Sequence, residues 1–245
     1  MISSVFHAFI YNPLYNGLIF FVGAVPGHDV GLAVIALTVV VRTLLFPLSR
    51  QLVKTQLVMK KLAPKMEELK KKYKDDQMQQ SQAILALYRE HDVHPLSGLG
   101  LTLLQFPILI AIYWVFSRGG LPEVHTALLY SFVSVPPAVS MMFLGLIDMG
   151  KHSIFLAVLA AVTQYTYARL TMGPRHKTPK SDGSFGQDMA RSMDLQMRFF
   201  LPGMIGIIGY SVGAAVPLYW ATANLYMIAQ EYLSGRRFDG EHLEK

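Results

Sequence analysis

The 245-residue sequence contains no cysteine. That excludes disulfides, thiol catalysis and Cys-ligated metal centres, and with them the acylated cysteine of a lipoprotein-type signal. Charge is scarce too, at 16% of residues, against about 25% in soluble domains. No Asp or Glu pair lies within an apolar run, since Asp148 and Glu231 fall at run ends, so a proton-relay pump is disfavoured. There is no Gly-rich phosphate loop, Walker motif, HExxH or nucleophile triad. His91 and His94 have no third ligand near them. Nothing in this chain asks for a cofactor or a metal, and nothing reads as an enzyme.

What is abundant is apolar surface: 52% of residues, with a mean hydropathy of +0.35. The chain reads as an all-α, multi-pass membrane protein. About 20 apolar residues cross the hydrocarbon, which predicts five transmembrane helices at 30–48, 97–117, 127–147, 153–172 and within 199–233. The last tract is long for one bilayer. It is read as one span kinked near Pro217, with its first part at the outer interface; two spans would move the C-terminus across the membrane. Residues 3–23 are apolar and aromatic but lack a basic leader, so they read poorly as a signal peptide. They are expected as an interfacial helix, with a further span as the rival.

Ten of the 22 Lys and Arg residues fall in Arg50–Arg89, which makes that segment cytoplasmic. With five spans the N-terminus is then outside and the tail, 234–245, inside. One loop argues back: 173–198 carries five basic residues, yet this topology makes it extracytoplasmic. The 50–96 segment reads as a helical hairpin. Leu62, Met66, Leu69 and Tyr73 recur at helical spacing, opposite the basic run Lys70, Lys71 and Lys72, with Lys60 and Lys61 before it. Pro64 suits the first turn of a helix. The hairpin reads either as a solvated cap or as a mobile docking arm.

Arg42 is the most informative residue. It sits between two uncharged apolar runs, where a guanidinium costs roughly 2.5–3.5 kcal/mol on insertion scales, and it cannot lose its proton. Either it snorkels inward or the protein keeps a wet place for it. Thr38 lies one turn before it. Gln105, Gln164, Thr222, Asn224 and Tyr226 fall at related depths on other spans. Each amide alone reads equally as an interhelical hydrogen bond. Together the set is better explained by a cavity open to the cytoplasm and closed outside, because lipid cannot satisfy polar groups.

Several tracts carry a resemblance. The tract RTLLFPLSRQLVKTQLVMKKLAPKMEELKKKYKDD (42–76) resembles the first core span and cytoplasmic hairpin of the YidC/Oxa/Alb membrane-protein insertases. HPLSGLGLTLLQFPILIAIYWVF (94–116), FLGLIDM (143–149) and PLYWATANLYMIAQEYL (217–233) resemble their second, third and fifth spans, in order along the chain. The resemblance implies five helices around a cytoplasm-open hydrophilic groove, with Arg42 as the groove arginine and 3–23 as an outer interfacial helix. It implies nascent membrane proteins as substrates, lipid as the exit, transient ribosome contact, and the Sec translocon as a companion in the bacterial inner membrane; DNA is not a partner. The chain departs from some members in showing no large extracytoplasmic domain, no lipobox cysteine and only a short tail after Leu233. Rival readings are a small-solute channel or transporter, which needs polar residues in both leaflets, and a structural scaffold in which Arg42 only pairs within the bundle.

Overall fold

The computed structural model describes residues 2–74, 76–91, 97–117, 121–172, 192 and 194–233. The chain divides into two compact units, one of Met1–Arg42 with Leu109–Lys245 and one of Thr43–Ile108. The expected loop at 173–191, the tail at 234–245 and the end of the hairpin at 92–96 lie outside the described residues.

The first unit begins with α1 (Ile2–Phe6), which passes through a π turn (His7–Tyr11) into α2 (Asn12–Ala24). α3 (Val30–Leu44) follows and leaves the unit at its C-terminal end. Asp29 starts α3: its Oδ1 accepts from the backbone N–H of Gly31 at 2.7 Å and of Leu32 at 3.1 Å, the usual work of an N-cap. α2 and α3 meet closely at Gly17, where a Cβ would stand 2.9 Å from Leu37. α2 is also pinned midway. Asn16 Nδ2 donates to the Leu128 carbonyl at 2.8 Å, Asn16 Oδ1 accepts from Tyr130 N–H at 2.6 Å, and Tyr15 Oη accepts from His125 N–H at 2.8 Å.

The expected helix at 127–147 is absent. The segment carries a single 3-10 turn (Thr126–Leu128) and a two-stranded antiparallel hairpin, β1 (Met142–Phe143) with β2 (Ile147–Asp148). Its hydropathy suffices to span, but Pro136-Pro137 withholds two backbone donors, and Leu144 (φ 51°) and Gly145 (φ 73°) turn the chain left-handed. The hairpin ties helix starts together. Val30 N–H donates to Ser140 O at 2.9 Å, and Asp29 Oδ2 accepts from Leu144 N–H at 2.7 Å. The Phe143 ring occupies the place a Cβ on Gly31 would need.

α7 (Ile154–Met172) leaves from the same place. The tract expected as one kinked span is two helices. A π turn (Gln196–Phe200) runs into α8 (Leu201–Ser211), and after an extended Val212 the chain enters α9 (Ala215–Leu233). Pro217 therefore sits in a first turn, where its missing N–H costs nothing, and does not kink the helix. The break returns the chain to the hairpin: Ala214 N–H donates to Lys151 O at 2.8 Å and Ala215 N–H to Met149 O at 3.2 Å. Gly213 packs tightly there: a Cβ would stand 3.2 Å from Met149 O. α8 and α9 both pack on α7. Gly206 and Gly209 face Ala161 and Ala157, small residues that let helix backbones approach.

The second unit holds α4 (Phe46–Lys72), α5 (Gln77–Glu90) and the first part of α6 (Ser97–Ser117), whose end belongs to the first unit. α4 begins at Phe46, inside the stretch expected as the first span, and only Leu45 separates it from α3. Pro64 lies inside α4 rather than in a first turn; on an exposed helix, water can take the carbonyl it leaves unbonded. Leu62 and Leu87 are buried against each other with Val58, Met66, Leu69 and Tyr88 around them. Asp76 caps α5 through the N–H groups of Met78 and Gln79.

Among the described residues two helices are long and apolar enough to cross a membrane, Ser4–Ala24 and Ile154–Met172; Val30–Leu44 and Phe106–Ser117 are shorter apolar helices. Asp29→Ala should lower stability by about 1–2 kcal/mol through the lost cap, read as a lower thermal midpoint in detergent. Gly31→Ala should cost about 1–3 kcal/mol by overpacking against Phe143. If both substitutions leave the midpoint unchanged, the hairpin is not fastened to α3 as described.

Candidate functional site

α3, α7 and α9 start from one hairpin, so depth can be measured along each from a common end. At about 1.5 Å per residue, Thr222, Thr38, Asn224, Thr163, Gln164, Tyr226 and Arg42 lie about 10 to 18 Å from their helix starts, in that order. The polar groups therefore fall within one band of depth along apolar helices, with Arg42 in the last turn of α3. Arg42 and Asn224 are buried, at 9% and 7% exposure; Gln164, Thr222 and Tyr226 are half-buried.

The threonines satisfy themselves. Thr38 Oγ1 donates to Val34 O at 2.6 Å and Thr222 Oγ1 to Leu218 O at 2.8 Å. Such i−4 back-bonds let a hydroxyl sit in an apolar helix without an external partner. Asn224 reaches across: its Nδ2 donates to Thr163 Oγ1 at 3.4 Å, joining α9 to α7. Asn224 thus meets Thr163, the neighbour of the expected Gln164. The backbone of Gln105 lies in α6, in the other unit, and its side chain is outside the described set.

Sequence reasoning missed three residues. Thr163 is buried, with its hydroxyl also bonded to the Leu159 and Ala160 carbonyls; the signal was the stripe of small residues Ala157 and Ala160 at helical spacing before it. Glu231 is 1% exposed. It lies seven residues after Asn224, on the same face as Asn224 and Met227, and was read only as a span end. Arg198 was assigned to a loop but lies in the π turn, 7% exposed, with its Nε donating to Asp194 Oδ1 at 2.6 Å. An i, i+4 acid–base pair was the available signal. Charge-assisted bonds of this length are strong, and here Asp194, itself half-buried, answers the buried guanidinium.

The hairpin lysines are a separate feature, in the other unit. Lys61, Lys70, Lys71 and Lys72 are exposed, with Lys72 Nζ 5.3 Å from the centre of the Tyr73 ring; the side chain of Lys60 is outside the described set. Among the described residues no three His, Asp or Glu side chains converge on a metal position.

Residues 21–241 match the family model for the 60Kd inner membrane protein. The chain belongs to this family. Members similar to it are named membrane protein insertases: YidC of Clostridium tetani, 28% identical over 97% of this chain and 91% of that one, and MisCA of Bacillus subtilis, 30% identical over 92% and 77%. The fold is similar to that of an active YidC insertase crystal structure, with a TM-score of 0.57 and 24% identity, covering 89% of this chain and 45% of that one. The 60Kd inner membrane protein family is one of bacterial membrane insertases, and this mostly helical member shares its fold. The family match takes in every buried polar residue from Asp29 to Glu231 and leaves α1 and most of α2 outside it.

Thr163→Val and Asn224→Ala should each cost about 0.6 kcal/mol, the typical worth of a hydrogen bond between helices in a membrane. In a double-mutant cycle the two losses should not add. Additive losses would mean that α7 and α9 are not joined at this bond.

Proposed function

We propose that the chain inserts proteins into the membrane by carrying short hydrophilic tails part-way across the bilayer in a groove beside Arg42. The single observation that carries this is the burial of Arg42 in the last turn of the apolar helix α3, at the depth of polar residues on α7 and α9. A substrate's polar tail leaves water and enters the band. Arg42 attracts its carboxylates, and an environment less polar than water strengthens that attraction. The following apolar segment then moves into lipid, driven by burial of its apolar surface. The groove lowers the barrier because the tail never has to cross a full thickness of hydrocarbon. Its residues are Arg42, Thr38, Gln164, Thr222, Asn224 and Tyr226, with Gln105 kept as a candidate from its spacing.

The five spans in this reading are α3, α6, α7, the helical stretch 194–211 and α9. Exposed apolar side chains along them support it, among them Val39 and Val40 on α3, Phe106 and Ile110 on α6, Val158 and Val162 on α7, Ile207 on α8 and Leu225 on α9. The β hairpin end is outside. Of the 22 Lys and Arg residues, only Arg118 and Lys151 then fall on the outer side, which suits the positive-inside rule better than the five-span count with a basic outer loop. The N-terminus is outside and the segment after Leu233 inside. α1 and α2 lie at the outer interface: the irregular chain at 125–130 bonds to the middle of α2, and such chain does not occur within hydrocarbon. The aromatic cluster of Phe6, His7, Tyr11 and Trp114 suits the same level. The exposed lysines of the α4–α5 hairpin offer a cytoplasmic surface for transient ribosome contact. Cooperation with the Sec translocon rests on the family resemblance alone.

The test is reconstitution of the purified chain in liposomes, scoring protease-protected insertion of a substrate with a short acidic tail. Arg42→Ala should reduce protection at equal protein abundance, while Arg42→Lys keeps much of it, because a mobile positive charge is what the step uses. Full activity of the alanine variant would sink the electrostatic role; loss in the lysine variant alone would point to recognition by the guanidinium fork.

Orientation has its own check, helped by the absence of native cysteine. In intact cells Lys151→Cys should react with a membrane-impermeant maleimide, and Ser192→Cys should react only after lysis. The reverse pattern would invert the topology.

A further inference from the structure

Turn residues are ordinarily polar or Gly, yet the hairpin between β1 and β2 turns through Leu144–Gly145–Leu146. Leu144 and Leu146 are 62% and 81% exposed, so most of each side chain is open. Leu144 also adopts φ 51°, a left-handed conformation that a side chain with Cβ disfavours. Asn, Asp or Gly would relieve it. The tip is not loose: Leu144 N–H donates to Asp29 Oδ2, and Leu146 N–H donates to Phe143 O at 2.9 Å. Because Phe143 lies over Gly31, the hairpin lies against the flank of the first turn of α3, not beyond its end. Ile154 and Phe155, 71% and 63% exposed, begin α7 at the same end of the unit. The ion pair of Asp148 with Lys151 lies at the end of β2 away from the tip.

We infer that the tip Leu144–Gly145–Leu146 is a lipid anchor that inserts its two leucines among the acyl chains of the outer leaflet. This rests on the orientation proposed above. The anchor sets the depth of the hairpin and, through it, the starting level of α3, α7 and α9. Lipid is favoured over a protein partner because the tip, like the first turn of α7 that starts from the same hairpin, exposes large apolar side chains and carries no charge or hydrogen-bonding side chain to specify a protein.

The test uses the full chain with single cysteines at Leu146, Phe155 or Lys151, each carrying a nitroxide, in vesicles of phosphatidylethanolamine and phosphatidylglycerol. Collision rates with oxygen, which concentrates in lipid, are compared with those of a water-soluble nickel chelate. With the native tip sequence, position 155 should report lipid and position 151 water, whether or not the tip itself is inserted. The inference predicts that 146 groups with 155, with oxygen collisions exceeding nickel collisions. Grouping of 146 with 151 overturns the anchor while leaving the α7 span intact; a wet signal at 155 with the native tip overturns the placement of the first turn of α7 in hydrocarbon, on which the anchor rests. Spin–spin broadening at 146 that disappears on dilution with unlabelled chain would mean that a second copy covers the tip, and would also overturn the inference. As a second arm, Leu146→Asp should shift the Phe155 label toward water, whereas Leu146→Phe should not; equal depth in both variants counts against the anchor.

Discussion

One carboxylate holds the register of the first unit. Asp29 spends one oxygen on the first turn of α3 and the other on the turn of the β hairpin. The same hairpin then takes the chain from α8 to α9 through the carbonyls of Met149 and Lys151. The starts of three helices are thus fixed near one another by short hydrogen bonds. Everything farther along those helices inherits that alignment, because an α-helix is a nearly rigid ruler. The meeting of Asn224 with Thr163, each nine residues into its own helix, is what such a ruler produces.

The packing below that tie is of the kind lipid permits. Lipid gives no hydrophobic drive between helices, so close approach and hydrogen bonds must join them. Gly206 and Gly209 let α8 lie on Ala161 and Ala157, and larger side chains such as Ile207 and Val162 point outward. The polar residues follow the same economy. Threonines bond to their own helix, Arg198 is held by Asp194 one turn away, and Asn224 bonds to the neighbouring helix. Buried charges are tolerated only where such arrangements exist, so the neighbourhood of Arg42, Asn224 and Glu231 is the part of this member of the 60Kd inner membrane protein family where polar chemistry has been retained at a cost.

The insertase family was legible in the sequence, because ordered tracts such as 42–76 and 217–233 carry more information than any single motif. Arg42 and Asn224 also stood out in the sequence as polar residues within apolar runs, and both are buried. The role of Thr163 was not legible, since a small hydroxyl beside a larger amide gives no sign of which one faces the neighbouring helix. Nor was the burial of Glu231 or the pair Arg198–Asp194, because nearness to the end of an apolar run looks the same whether the end is wet or packed.

Composition by itself determined that this chain lives in lipid, where the basic mass lies, and which helix carries a charge that demands an explanation. Hydropathy measures how much apolar length is present; it does not say whether that length is wound or extended. Only the tertiary structure decided that 127–147, apolar enough for a span, is an irregular cover ending in a hairpin, because Pro136-Pro137 cannot supply helix donors and the segment finds its hydrogen bonds on α2, Asp29 and His28. Only the tertiary structure decided that 199–233 is two helices, because the chain at Ala214 and Ala215 bonds to the Lys151 and Met149 carbonyls, with Gly213 packed tightly against the latter. Both outcomes depend on contacts between residues far apart in sequence, and local pattern carries no record of them.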